Sequence, residues 1–235
     1  MMDKCCLEVC SNSVISAMAA QAGGADRVEL CSVLGVGGVT PSHGAIVSAR
    51  KALTIDLNVL LRPREGNFVY EETEIREVEE DIRMCADVGV NGVVIGALDF
   101  MGNVDFAAME RWINLAKKGG LAVTFHRAID VSRDVFQTME DAIRLGCDCI
   151  LTSGGYATAP EGTAVLAKMV EMAADRIVIM PGSGVNPENA AELVRATGAR
   201  YLHSSARTNR PAEDGWTGWS DATVVRAIRS QLDRV

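Results

Sequence analysis

Apolar and polar residues alternate along several short segments of this chain, and the polar positions carry unusual chemistry. In residues 7–10 (LEVC), Leu7 and Val9 share one face while Glu8 and Cys10 share the other. Residues 27–31 (RVELC) set Val28 and Leu30 against Glu29 and Cys31. Residues 57–62 (LNVLLR) set Leu57, Val59 and Leu61 against Asn58, Leu60 and Arg62, and residues 123–126 (VTFH) set Val123 and Phe125 against Thr124 and His126. Successive strand side chains point to opposite faces, so each segment reads as a strand with one apolar side. With helices over the apolar sides, Glu8, Glu29, Arg62 and His126 point to the other side of one sheet. Isolated charges are costly to bury there, so they must meet one another, a ligand or water.

A strand-then-helix rhythm repeats eight times. The pattern predicts strands at 6–10, 27–31, 56–62, 92–98, 122–128, 149–153, 176–181 and 200–205. Helices are predicted at 12–22, 41–53, 72–88, 105–118, 134–145, 162–174, 187–197 and 221–232. Asn12 or Ser11 is placed to cap the first helix, Thr40 precedes Pro41 at the second, and Asn186 precedes Pro187 at the seventh, all helix-start signals. Gly23, Gly89, Gly119, Gly146 and Gly198 stand where helices should stop.

Such alternation with short loops requires parallel strands and crossover helices. Eight units in 235 residues fit a closed (β/α)8 TIM barrel, whose usual size is about 250 residues. The competing doubly wound open sheet would want a glycine-rich turn after its first strand, and residues 10–14 (CSNSV) contain no glycine. The expectation is an α/β fold: a single TIM-barrel domain over residues 1–235.

Composition narrows the function classes. A net charge of −8 argues against a nucleic-acid or anionic-membrane partner. No apolar run approaches a membrane span, and MMDKCCLEVC carries no signal-peptide hydrophobic region. The seven cysteines are odd in number, irregularly spaced and without a CxxC pair, so a disulfide framework is not expected and the cytoplasm is the expected location.

In a barrel of this kind the site forms at the C-terminal ends of the strands. Glu8, Glu29, Arg62, His126 and His203 fall there and form a candidate polar ring for acid–base work and anion clamping. Cys10 and Cys31 lie at equal depth on neighbouring strands, which permits a shared two-thiolate metal site; taken singly, each would read as a small core residue. Gly182, Ser183 and Gly184 after the seventh strand, with Asn186, Ser204, Ser205 and Arg207, form a candidate anion cradle. His43 reads as a surface residue, and none of the five lysines falls at a strand's C-terminal end, which disfavours Schiff-base and pyridoxal-phosphate chemistry. Residues 206–220 form a long irregular stretch expected to act as a lid, an oligomer contact or a flexible segment, and its Trp216 and Trp219 could mark a contact.

The phrases EVC, ADRVELC, GGVTPSHG, VLLRPREGNFVY, TFHRAID, LTSGG, IMPGSGV and HSSAR, in this order and spacing, together resemble the CutC family over nearly the whole chain. The resemblance implies a cytoplasmic TIM-barrel copper homeostasis protein, a homo-oligomer, with Cu(I) as its ligand and Cys10 and Cys31 at the positions associated with copper. GSGV stands where a GGG run is common in the family, and Cys5 and Cys6 are additional thiols. Two functions therefore stand side by side. One is Cu(I) binding at Cys10 and Cys31. The other is an enzyme of unknown reaction, using the Glu/Arg/His ring on a small polar or anionic substrate, phosphorylated substrates included.

Overall fold

The computed structural model describes residues 5–207 and 219–235. Eight strands form one parallel sheet: β1 (Cys6–Ser11), β2 (Arg27–Leu30), β3 (Asp56–Leu60), β4 (Gly92–Ile95), β5 (Ala122–Phe125), β6 (Cys149–Thr152), β7 (Val178–Pro181) and β8 (Tyr201–Ser204). Each strand is followed by a helix: α1 (Val14–Ala22), α2 (His43–Ala52), α3 (Glu72–Val88), α4 (Phe106–Lys118), α5 (Val135–Leu145), α6 (Thr163–Ala173), α7 (Ala190–Thr197) and α8 (Ala222–Leu232). The strands run in chain order from β1 to β7, and β8 pairs with β1 on its other side. β7 and β8 lie against each other, so the sheet curls into a nearly closed (β/α)8 barrel, as the alternation predicts. None of the described helices is long and apolar enough to cross a membrane.

Several strands are shorter at their C-terminal ends than the pattern suggests. Residues 61–62, 96–98 and 126–128 have already left the sheet; backbone that leaves the ladder there is free to line a site. The five expected glycine stops are all helix C-caps. The starts differ from expectation. Ser13, not Asn12 or Ser11, caps α1 by accepting from the Ser16 amide at 3.1 Å. Ser42, not Thr40, caps α2, and α7 begins at Ala190, because Asn186 and Asn189 first close a turn with each other's backbone.

Two cores result from strand alternation. Leu7, Val9, Val28, Leu30, Leu57 and Val59 point outward and pack under the helices with Ile82, Met109, Trp112 and Phe125. The barrel interior is different. It holds small clusters around Cys10, Cys31, Leu60 and Val94, and around Cys149, Leu151 and Met180, separated by buried polar groups. Gly92 on β4 shows how tight this interior is. A Cβ at this position would lie 2.6 Å from Asn58 Oδ1 and 2.8 Å from the Ala122 carbonyl. Gly92→Ala is expected to cost about 1–3 kcal/mol through overpacking, read as a Tm lowered by roughly 2–10 °C in calorimetry. A Tm equal to wild type would show that β4 and Asn58 can yield.

Candidate functional site

Register places the interior charges beside one another. Across the β1–β2 ladder Glu8 faces Arg27 and Cys10 faces Glu29; across β1–β8 Glu8 faces His203; across β2–β3 Glu29 faces Asn58. Glu8 is fully buried, and three interior side chains bond to it. Its Oε2 accepts from Arg27 Nε at 2.7 Å and from Asn58 Nδ2 at 3.0 Å, and its Oε1 lies 2.7 Å from His203 Nδ1. Burial alone would push this carboxyl up. The Arg27 charge and the His203 and Asn58 hydrogen bonds overcome it and hold Glu8 at about 2, so it is ionised. Arg27 reaches across the barrel floor to Met180 and Cys149 and lies over the Tyr201 ring.

His203 is the hinge between this buried pair and the open end of the barrel. Its Nδ1 is engaged by Glu8, and its Nε2 is 3.9 Å from Glu29 Oε2. Burial would favour the neutral ring, but the Glu29 charge and the Glu8 bond raise its pKa. Glu29 is itself raised, first by burial, against the lowering effect of His203. Next to them, Cys10 Sγ and Cys31 Sγ are 3.5 Å apart and both are buried. The contact with Cys31, burial and the Glu29 charge all push the Cys10 thiol well up. Cys10, Glu29 and His203 each bring a ligand atom within 4.8 Å of the others, so soft and hard donors converge.

Cys10, Glu29 and His203 line a cavity of about 1090 Å³ at the C-terminal end of the barrel. Arg62 and His126 lie on another part of its wall and bond differently from the expected ring. Arg62 gives Nη1 to the carbonyls of Val36 and Gly38 and Nη2 to that of Gly66, which ties the loops after β2 and β3 together. His126 accepts the Ala128 amide on Nδ1 at 3.2 Å. Burial, then the Arg62 charge, lower it to about 3.

The candidate anion cradle is partly engaged. The Gly182 amide donates to Thr152 and the Ser183 hydroxyl to Ala157, while Gly184, Ser205 and Arg207 line the cavity. Arg207 Nε donates to Ser205 Oγ at 3.2 Å. Trp216 and most of the 206–220 stretch lie outside the described residues; its ends meet in a bridge between Arg207 and Ser220. His43, as expected, is exposed.

Three groups escaped the sequence reading. Arg27 and Asn58 share the inward parity of Glu29 and Arg62, so alternation could have found them. Arg127 could not be found that way. It lines the cavity because Asp130 Oδ2 and Ser153 Oγ hold its guanidinium at 2.7 and 3.0 Å.

The two buried histidines have opposite pH signs. His126 falls from 6.5 to about 3 on folding, so the unfolded chain binds the extra proton between these values and stability drops as pH falls through them. The Glu8 contribution is present above 4.5 and is lost as pH falls toward about 2. The raised His203 contributes fully below 6.5 and loses its contribution as pH rises through its folded value. Urea midpoints measured between pH 6.5 and 4 should therefore show a smaller acid loss in His126→Gln than in wild type. Parallel acid limbs would refute the assignment to His126.

The CutC family model matches residues 5–208. A family protein CutC from Xanthomonas campestris pv. campestris is 52% identical over 201 residues, spanning 86% of this chain and 83% of its own length. One from Chromobacterium violaceum is 48% identical over 249 residues, spanning 99% of this chain and all of the relative. Among solved structures, a CutC from Streptococcus agalactiae superposes with a TM-score of 0.81 at 33% identity, over 86% of this chain and 98% of that one. A thiamine phosphate pyrophosphorylase from Pyrococcus furiosus, at 17% identity and a TM-score of 0.65 over 99% of this chain and 97% of its own, shares the fold alone. With a family model spanning most of its length and relatives near half identity, this chain belongs to the CutC family.

Proposed function

We propose that this protein serves copper homeostasis by holding Cu(I) between Cys10 and Cys31 at the mouth of the barrel. The observation that carries this reading is the pair of buried sulfurs 3.5 Å apart, both free of disulfides. Thiolates are soft donors and suit Cu(I). With thiolate–metal bonds of about 2.3 Å, sulfurs this close subtend an angle of roughly 100° at the metal. That is a bent seat with room for a third donor, and Glu29 and His203 stand near Cys10 to supply one. The Streptococcus agalactiae relative is named for copper homeostasis, which agrees with the donor set. The described cysteines are all free thiols, the state a reducing cytosol maintains.

A second reading is favoured by the orientation of His203. A buried, ionised glutamate that fixes Nδ1 and leaves Nε2 toward a second carboxylate is an arrangement for proton transfer, and His203 and Glu29 both line the cavity. On this reading the protein is an enzyme acting on a small polar or anionic substrate.

An anaerobic Cu(I) titration against a competing chelator tests the first reading. Wild type is expected to bind about one equivalent tightly, with a stoichiometric site lost in Cys10→Ser/Cys31→Ser. Because the thiols must lose protons on binding, affinity should rise with pH. Weak binding, or binding unchanged in the double variant, would refute the copper seat and leave the acid–base arrangement as the cavity's function.

A further inference from the structure

His126 follows β5 and is 4% exposed. Its ring is clamped on one side. Nδ1 accepts the Ala128 amide at 3.2 Å, and Gly96 backs the ring so closely that a Cβ there would lie 2.5 Å from Nδ1. A neutral imidazole with one nitrogen accepting carries its proton on the other, so the ring presents an Nε2–H donor. That donor has no hydrogen-bond partner among the described residues, and neither does the buried Nε–H of Arg62. A buried donor left unbonded is costly, and retaining two on one wall needs an explanation.

One aromatic ring links the two donors. Phe68, in the loop after β3, is half-buried, with its centroid 4.9 Å from that of His126 and 4.7 Å from the Arg62 guanidinium carbon. All three side chains line the cavity. Phe68 thus packs against both donor-bearing side chains at the cavity wall.

We infer that His126 is the oxygen-recognising group of this cavity, a neutral Nε2–H donor that binds a carboxylate oxygen of a small organic acid beside Arg62. This role differs from the acid–base role expected of the polar ring, since a ring fixed as a donor next to a guanidinium does not take up a proton. The depressed pKa of about 3 agrees with that state. The inference rests on the enzyme reading only for turnover of the bound acid; binding stands without it.

The test uses the metal-free full chain, labelled with 15N in histidine, and glycolate as the probe. Long-range 1H–15N correlations at pH 7 should show His126, assigned by its loss in the variants, with Nδ1 unprotonated and Nε2 protonated. Glycolate should shift the Nε2–H resonance. His126→Phe should weaken glycolate by tenfold or more, and His126→Gln, which keeps an N–H, by less. A proton on Nδ1 would overturn the inference. So would glycolate that fails to bind, glycolate that saturates without moving Nε2–H, or His126→Phe binding as tightly as wild type. Binding without turnover would sink the enzyme reading alone, and a failed copper titration would sink only the thiol seat.

Discussion

The buried Glu8–Arg27 pair is the constraint on which the rest of the site depends. A carboxylate with no exposure is tolerable only when its charge and lone pairs are met, and Arg27, Asn58 and His203 meet them at 2.7–3.0 Å. Each partner comes from a different strand, so the pair is satisfied only when β1, β2, β3 and β8 hold their register. An apolar interior would be stable over a wider range of registers. The charge makes the barrel specific, and it turns His203 so that one nitrogen looks down to Glu8 and the other toward Glu29. Without the pair, neither the acid–base arrangement nor the donor set around Cys10 would have a fixed geometry.

The same electrostatics shape the thiol site. Glu29 sits across the ladder from Cys10, and its charge opposes formation of a thiolate there. The Cys10 thiol in that environment resists losing its proton, and a cation that brings positive charge beside it relieves the opposition. The carboxylate that opposes the Cys10 thiolate therefore favours a bound cation over free thiolate. His203, its pKa raised by Glu29 and Glu8, takes up a proton more readily on the other side and tempers that preference as pH falls.

Much of this was legible in the alternation of the strands. Glu8, Glu29, Cys10, Cys31 and His203 all fall on the inward parity, and the fold brings them together. Arg27 was overlooked because it opens β2, at the end of the barrel away from the loops, yet its side chain runs along the interior to Glu8. What became of Arg62 was not legible. Its partners are the carbonyls of Val36, Gly38 and Gly66, and Gly38 and Gly66 adopt left-handed backbone at φ of 89° and 91°, a conformation set by the loops rather than by any strand pattern. The helix starts failed for a similar reason: proline marks where a helix can begin, but Ser42 and Asn189 mark where the backbone actually turns.

His126 and His203 show how one residue type can be set to two states within one cavity. His203 lies between two carboxylates and gains a proton readily, whereas His126 lies beside a guanidinium and a phenyl ring and gives its Nδ1 to a backbone amide. Neighbouring groups that push equivalent side chains apart in pKa divide the labour of a site between proton carrier and fixed donor. Their environments already differ before any ligand arrives, because both are written into the backbone: His203 by its register with β1, His126 by the turn that carries the Ala128 amide back onto its ring. A ligand oxygen bound at Nε2 of His126 would meet a donor of constant charge, while any proton exchanged at His203 would pass through a group held in place by Glu8. The preorganised donor and the titrating one are thereby kept on separate parts of the wall, so that the protonation of one need not reset the other.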